Sequence, residues 1–243
     1  MRPGAVALPL ALSAALLAGA APPGQKPYGE APAGARPLPA RMADTGGGAQ
    51  LITAQAAGTA STSGTLTWWD LRDGHWTRAG SAPARFGENG LTEGASRQQG
   101  TETTPAGLYG LPYAFGVEAA PPGTTYPYRR VDDDSWWCQD NGSRSYNRWS
   151  EPRAADCRAT ESEHLITYGT QYAYALVVGF NYARPVRGRG AGIFLHVDGR
   201  GATAGCVSVP RDAMRRILRW ADPAARPHIA IGTVRGRTAI TRY

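Results

Sequence analysis

Nothing in the 243 residues resembles a helix-turn-helix, an aromatic-rich nucleic-acid-binding sheet or a dense basic tract. Nucleic acid is therefore excluded as a target, although 26 basic against 19 acidic residues give a formal net charge of +7. Nearly all the basic side chains are dispersed arginines, a pattern drawn to polyanionic material in general. No third ligand stands at a useful spacing from His196 and Asp198, so no metal is expected, and nothing implies another cofactor. Gly188-Arg189-Gly190-Ala191-Gly192 lacks the third glycine of a nucleotide loop and precedes a strand pattern, so it reads as a turn. No repeat of fixed period is present.

Long apolar runs are also missing. Val6 to Ala21 is rich in Leu and Ala and carries no charge, but it is short for a membrane span and is broken by Pro9 and Pro22-Pro23. With Arg2 before it and Ala18-Gly19-Ala20 at its end, the run reads as a cleaved signal peptide over 1–20, an uncleaved membrane anchor being the other reading. No cysteine lies near the cleavage site, which argues against a lipoprotein. The expected location is outside the cell.

Cysteine is scarce. The three are Cys138, Cys157 and Cys206, and in an oxidising compartment an odd count leaves one thiol for pairing between chains or for chemistry. Cys138 and Cys157 flank a polar, turn-rich loop and are expected to pair, which would stabilise by roughly 3 kcal/mol. Cys206 is then the free thiol, and the chain is expected to be a monomer.

Residues 21–49 are rich in Pro, Ala and Gly and read as a linker, followed by one domain over 50–243. Leu51-Ile52-Thr53 and Thr65 to Leu71 read as strands, and Asp73-Gly74 as a hairpin turn into His75-Trp76-Thr77. Gly87 to Gly100 reads as a loop. Further strands are expected at Leu108 to Gly110, Ala173 to Phe180, Gly192 to Val197 and His228 to Ile231. Met214, Ile217, Leu218 and Ala221 recur at helical spacing behind Pro210, which is tolerated in a first helical turn. The fold class is mainly β with one short helix.

The informative segment runs from Gly192 to Pro210. Alternation along Ile193 to Asp198 puts Phe194 and His196 on one strand face and the core residues on the other. A Gly-rich loop then turns the chain so that Cys206 can lie beside His196. A thiol becomes a strong nucleophile once deprotonated, and a neighbouring imidazole is the usual base.

Gly205-Cys206-Val207, the histidine on the preceding strand and the Pro-led helix together resemble the catalytic stretch of L,D-transpeptidase (YkuD-type) domains. Thr104-Pro105-Ala106-Gly107-Leu108-Tyr109 is similar to that family's Thr-Pro-x-Gly-x-aromatic turn. Trp136 to Trp149 resembles the Trp-rich insertion of an actinobacterial-type branch. The resemblance implies a twisted β-sandwich or barrel-like catalytic domain acting on peptidoglycan stem peptides. It implies Cys206 as nucleophile, His196 as base, and the amides of Ala204, Gly205 and Cys206 as oxyanion hole. It also implies a Cys thioester, 3→3 cross-linking and acylation by carbapenem-type inhibitors.

Thr203, Ser208, Tyr146 and Asn147 are candidates for substrate contact. The chain departs from the family at Ala204, where most members have His, and at Ser208, where Arg is common. Two other outcomes fit the same residues: an L,D-carboxypeptidase that passes the acyl group to water, and a non-catalytic wall-binding domain.

Overall fold

Asp73 and Gly74 both adopt positive φ, 49° and 75°, the combination a two-residue hairpin turn requires. They join β2 (Ser63–Arg72) to β3 (His75–Arg85), as the sequence leads one to expect. The computed structural model describes residues 36–243. Before the hairpin comes β1 (Gln50–Ala56), and after it β4 (Leu91–Glu93), β5 (Thr104–Gly110), β6 (Ala114–Gly116) and β7 (Tyr128–Arg130). Next are β8 (Trp136–Cys138), β9 (Arg148–Ser150), β10 (Ser162–His164), β11 (Ala175–Val177), β12 (Phe194–Val197) and β13 (Val207–Val209). The helix α1 (Arg211–Trp220) and β14 (His228–Thr233) complete the order.

Eleven strands form one sheet in the order β4-β5-β14-β1-β2-β3-β13-β12-β11-β6-β7, and β10-β8-β9 form a second. Among the described residues the class is mainly β with one α-helix, as expected. Ile52, Leu66, Leu176, Leu195, Val207 and Ile231 meet Met214, Ile217 and Leu218 of α1 in the main core. Arg211 begins the helix and Pro210 is its cap residue, one position earlier than the first turn. On the opposite face a smaller cluster joins Phe115, Val177 and Phe194 to Trp137 and Leu165.

Two expectations are corrected. Residues 36–49 are part of the folded unit, not linker: Pro39 is buried, and Leu38 and Met42 pack against Leu51, Ala230 and Ile240. Apolar side chains spaced among the prolines give this segment a surface to bury. The signal peptide and the rest of the linker lie outside the described residues. Gly87 to Gly100 is also not all loop, because Leu91 is buried and β4 pairs in parallel with β5.

Cys138 and Cys157 form a disulfide, and Cys206 is free. The Arg158 guanidinium beside this bridge binds Asp140 at 2.8 and 3.0 Å and holds its carboxyl well below the usual carboxylate range.

Candidate active site

β12 and β13 run parallel, with His196 opposite Ser208, and the chain between them carries the loop that ends at Cys206. Alternation along β12 acts as the sequence implies. Leu195 and Val197 enter the main core, while Phe194 enters the opposite cluster and His196 meets Tyr172 there edge to face, with centroids 5.5 Å apart. His196 and Cys206 thereby line one cleft of about 370 Å³.

Cys206 is 8% exposed. Its Sγ accepts from the Phe194 amide and donates to the Gly192 carbonyl, each at 3.4 Å. Its own carbonyl accepts the hydroxyls of Thr203 at 2.7 Å and Thr104 at 3.1 Å. Burial pushes the thiol up to about 12, and the nearby Glu163 adds to that shift. The resting sulfur is a protonated thiol at neutral pH.

His196 is 7% exposed, and its Nδ1 lies 2.8 Å from the carbonyl of Val197. A carbonyl only accepts, so Nδ1 carries the proton and Nε2 keeps its lone pair. Burial lowers the imidazole from its ordinary value, leaving it neutral at pH 7. The sulfur's bonds go to backbone groups and not to His196, so the resting pair is neutral thiol and neutral imidazole. Neutral thiol and neutral imidazole are the protonation states that a thiol and its general base need before proton transfer.

The residues expected around this pair divide. Thr203 lines the cleft and ties the turn, accepting from the Gly205 amide at 3.1 Å while donating to Cys206. The Gly205 N–H is therefore engaged, which corrects the three-amide oxyanion hole. Among the described residues, the Ala204 and Cys206 amides have no protein acceptor. Gly205 has φ +131°, and a Cβ there would sit 2.8 Å from Arg97 Nη2 and 3.0 Å from the Thr103 carbonyl.

Ser208, Tyr146 and Asn147 are not placed for substrate contact. Ser208 is fully buried and donates to Asp198 Oδ1 at 2.7 Å. The Tyr146 hydroxyl donates to Gln99 Oε1 at 2.7 Å and accepts from the Gly190 amide at 3.0 Å. Asn147 Oδ1 accepts from Trp137 Nε1 and the Gly192 amide, both at 3.0 Å, and its Nδ2 donates to the carbonyl of Asn181 at 2.7 Å. Tyr146 and Asn147 are thus spent on holding the Gly190–Gly192 segment that leads into β12. Trp137 and Trp149 cover the sheet face beside Phe115, and Trp136 stacks on His164.

Among the cleft residues that the sequence does not mark are Arg97, Gln139, Glu163 and Tyr172. Arg97 is 5% exposed; its Nε and Nη1 donate to the carbonyls of Thr103 at 2.7 Å and Arg189 at 3.2 Å, and among the described residues it has no carboxylate partner. Burial lowers its affinity for its proton, while the nearby Cys206 opposes that. Each of the four comes from a different segment, and none carries a local signal.

Residues 58–233 match the family model of the L,D-transpeptidase catalytic domain, YkuD. The chain belongs to that family, and its catalytic domain is of the L,D-transpeptidase type. No curated protein sequence matches the chain. Among solved structures, it is similar to the structure of Bdellovibrio bacteriovorus Bd1075, at 16% identity and a TM-score of 0.38. That alignment covers 76% of this chain and 48% of the other, so the chain spans about half the length of that protein.

Proposed function

We propose that the protein is a secreted, monomeric L,D-transpeptidase that joins peptidoglycan stem peptides by 3→3 cross-links through a thioester on Cys206. The observation that carries this reading is the meeting of Cys206 and His196 in one cleft, with the His196 tautomer set by the Val197 carbonyl. Export is read from the apolar run behind Arg2.

His196 Nε2 removes the Sγ proton as sulfur adds to the carbonyl carbon of the third stem residue. The resulting oxyanion accepts the free amides of Ala204 and Cys206, donors already fixed in direction before charge develops. The intermediate collapses, its C–N bond breaks, and His196 gives the proton to the departing amine of D-alanine. An acceptor amine then attacks the thioester and loses its proton to His196. The C–S bond breaks and the thiol is restored with that proton. A carbapenem would acylate the same sulfur.

Chromatography of a stem tetrapeptide after incubation with the enzyme tests the reading. A cross-linked dimer with released D-alanine is expected. Tripeptide alone would assign water as the acceptor, and unchanged tetrapeptide would overturn the proposal.

A further inference from the structure

Glu163 stands in the cleft without a cation. Its Oε1 accepts from Gln139 Nε2 and its Oε2 from the Tyr172 hydroxyl, both at 2.5 Å. Both donors are neutral, and no Lys, Arg or His forms an ion pair with it among the described residues. The cleft's buried cation, Arg97, is bound to carbonyls and does not pair with Glu163. Tyr168 also stands near it, and His196, Glu102 and Arg200 line the same cleft.

Glu163 is close to the nucleophile. Gly192, whose carbonyl accepts from Cys206 Sγ, has φ +65°, and a Cβ on it would lie 3.5 Å from Glu163 Oε1 and 2.7 Å from Gln139 Nε2. Glycine keeps the space between carboxylate and sulfur open. An anion there opposes formation of a thiolate, and an enzyme of this kind gains nothing from it unless a positive charge arrives with the substrate.

We propose that Glu163 is the docking point for a primary ammonium of the stem peptide, whose charge offsets the repulsion between Glu163 and the developing Cys206 thiolate. The nucleophile then becomes competent when a substrate with the right charge is seated. This rests on the reading of the cleft as a stem-peptide site.

The test uses tetrapeptides whose third residue carries a free side-chain amine or the same amine acetylated. Binding to Cys206→Ala, followed by calorimetry, is expected to favour the free amine at least tenfold, with the preference lost in Glu163→Gln/Cys206→Ala. Equal affinities, or a preference that survives Glu163→Gln, would overturn the proposal. Should Glu163→Gln unfold, Glu163→Ser removes the same charge and is judged by the same criterion.

Two kinetic arms separate the sources of the ammonium. D-alanine release without acceptor, free against acetylated donor, reports the donor's amine. The dimer-to-hydrolysis ratio from an acetylated donor and a free-amine acceptor reports the acceptor's amine. Dependence on Glu163 in either arm supports the proposal and names the source; dependence in neither contradicts it. An amine preference in binding without any turnover would sink the transpeptidase reading and leave the ammonium site standing. Turnover with no preference would do the reverse.

Discussion

Thr104 ties β5 to Cys206: its hydroxyl donates to the Cys206 carbonyl at 3.1 Å and accepts from the Gly87 amide at 2.7 Å. Both bonds are buried, and the first joins residues 102 apart in the chain. The Thr-Pro-x-Gly-x-aromatic stretch thus has a physical task, which is to fix the turn that carries the sulfur. Thr104→Val keeps the shape of the side chain but strands the Gly87 N–H. It should cost about 1–3 kcal/mol in urea unfolding and lower acylation by Cys206 more than it raises KM. Unchanged stability and kcat would mean the tie is dispensable.

His196→Gln should slow acylation by about 10²–10⁴-fold, with the stem peptide still bound, because it removes the base and leaves the cleft walls in place. The acid limb of the acylation rate in the wild type should fall below pH 6.5, since burial lowers the imidazole from that value and the neutral form is the active one. An acid limb centred above 6.5 would show that a different group is the base.

Cys206 at about 12 makes a second pH prediction. Its folded-state value lies above the unfolded one near 9, so folding favours the protonated thiol. That contribution is complete below pH 9 and is lost as pH rises toward 12. Cys206→Ser should therefore lose less stability than wild type between pH 9 and 11 in parallel urea titrations. Without substrate, iodoacetamide alkylation of Cys206 should keep rising through the same range. A plateau near pH 7 would reveal a thiolate already formed at rest.

Reduction of Cys138–Cys157 releases a loop of sequence separation 19 and should cost about 3 kcal/mol, a Tm loss on the order of 10 °C. Calorimetry with and without reductant checks this. An unchanged Tm would mean that the Asp140–Arg158 bonds and the packing of Trp137 hold the segment unaided.

Gly205→Ala should lower both stability and activity, because the backbone there has φ +131° and the added methyl meets Arg97 and the Thr103 carbonyl. Circular dichroism melts together with D-alanine release measure the two effects. Full activity in this variant would show that the turn relaxes freely.

What could be read in the sequence was local. The Asp73-Gly74 hairpin, the α1 helix and the sharing of one β12 face by Phe194 and His196 all follow from turn chemistry and periodicity within short segments. His196 and Cys206 flank a single loop, so their meeting needed no long-range information. Arg97 and Glu163 reach the cleft from β4's following turn and from the second sheet, and neither has a spacing that marks it.

Tyr146 and Asn147 illustrate the opposite error. Their residue types suit ligand contact, but Asn147 at φ 56° turns its amide onto Trp137, Gly192 and Asn181. Partners of a polar side chain are set by tertiary packing. Residues 36–49 read as linker for a related reason: composition registers their prolines and glycines but not the surface that Leu38 and Met42 find.

The most direct test of the account is intact-protein mass spectrometry of the enzyme trapped during reaction with a stem tetrapeptide. The predicted result is a mass gain equal to the tetrapeptide less D-alanine, mapped to Cys206 and missing from Cys206→Ala. A protein that releases D-alanine without that adduct, or an adduct that persists in Cys206→Ala, would contradict it.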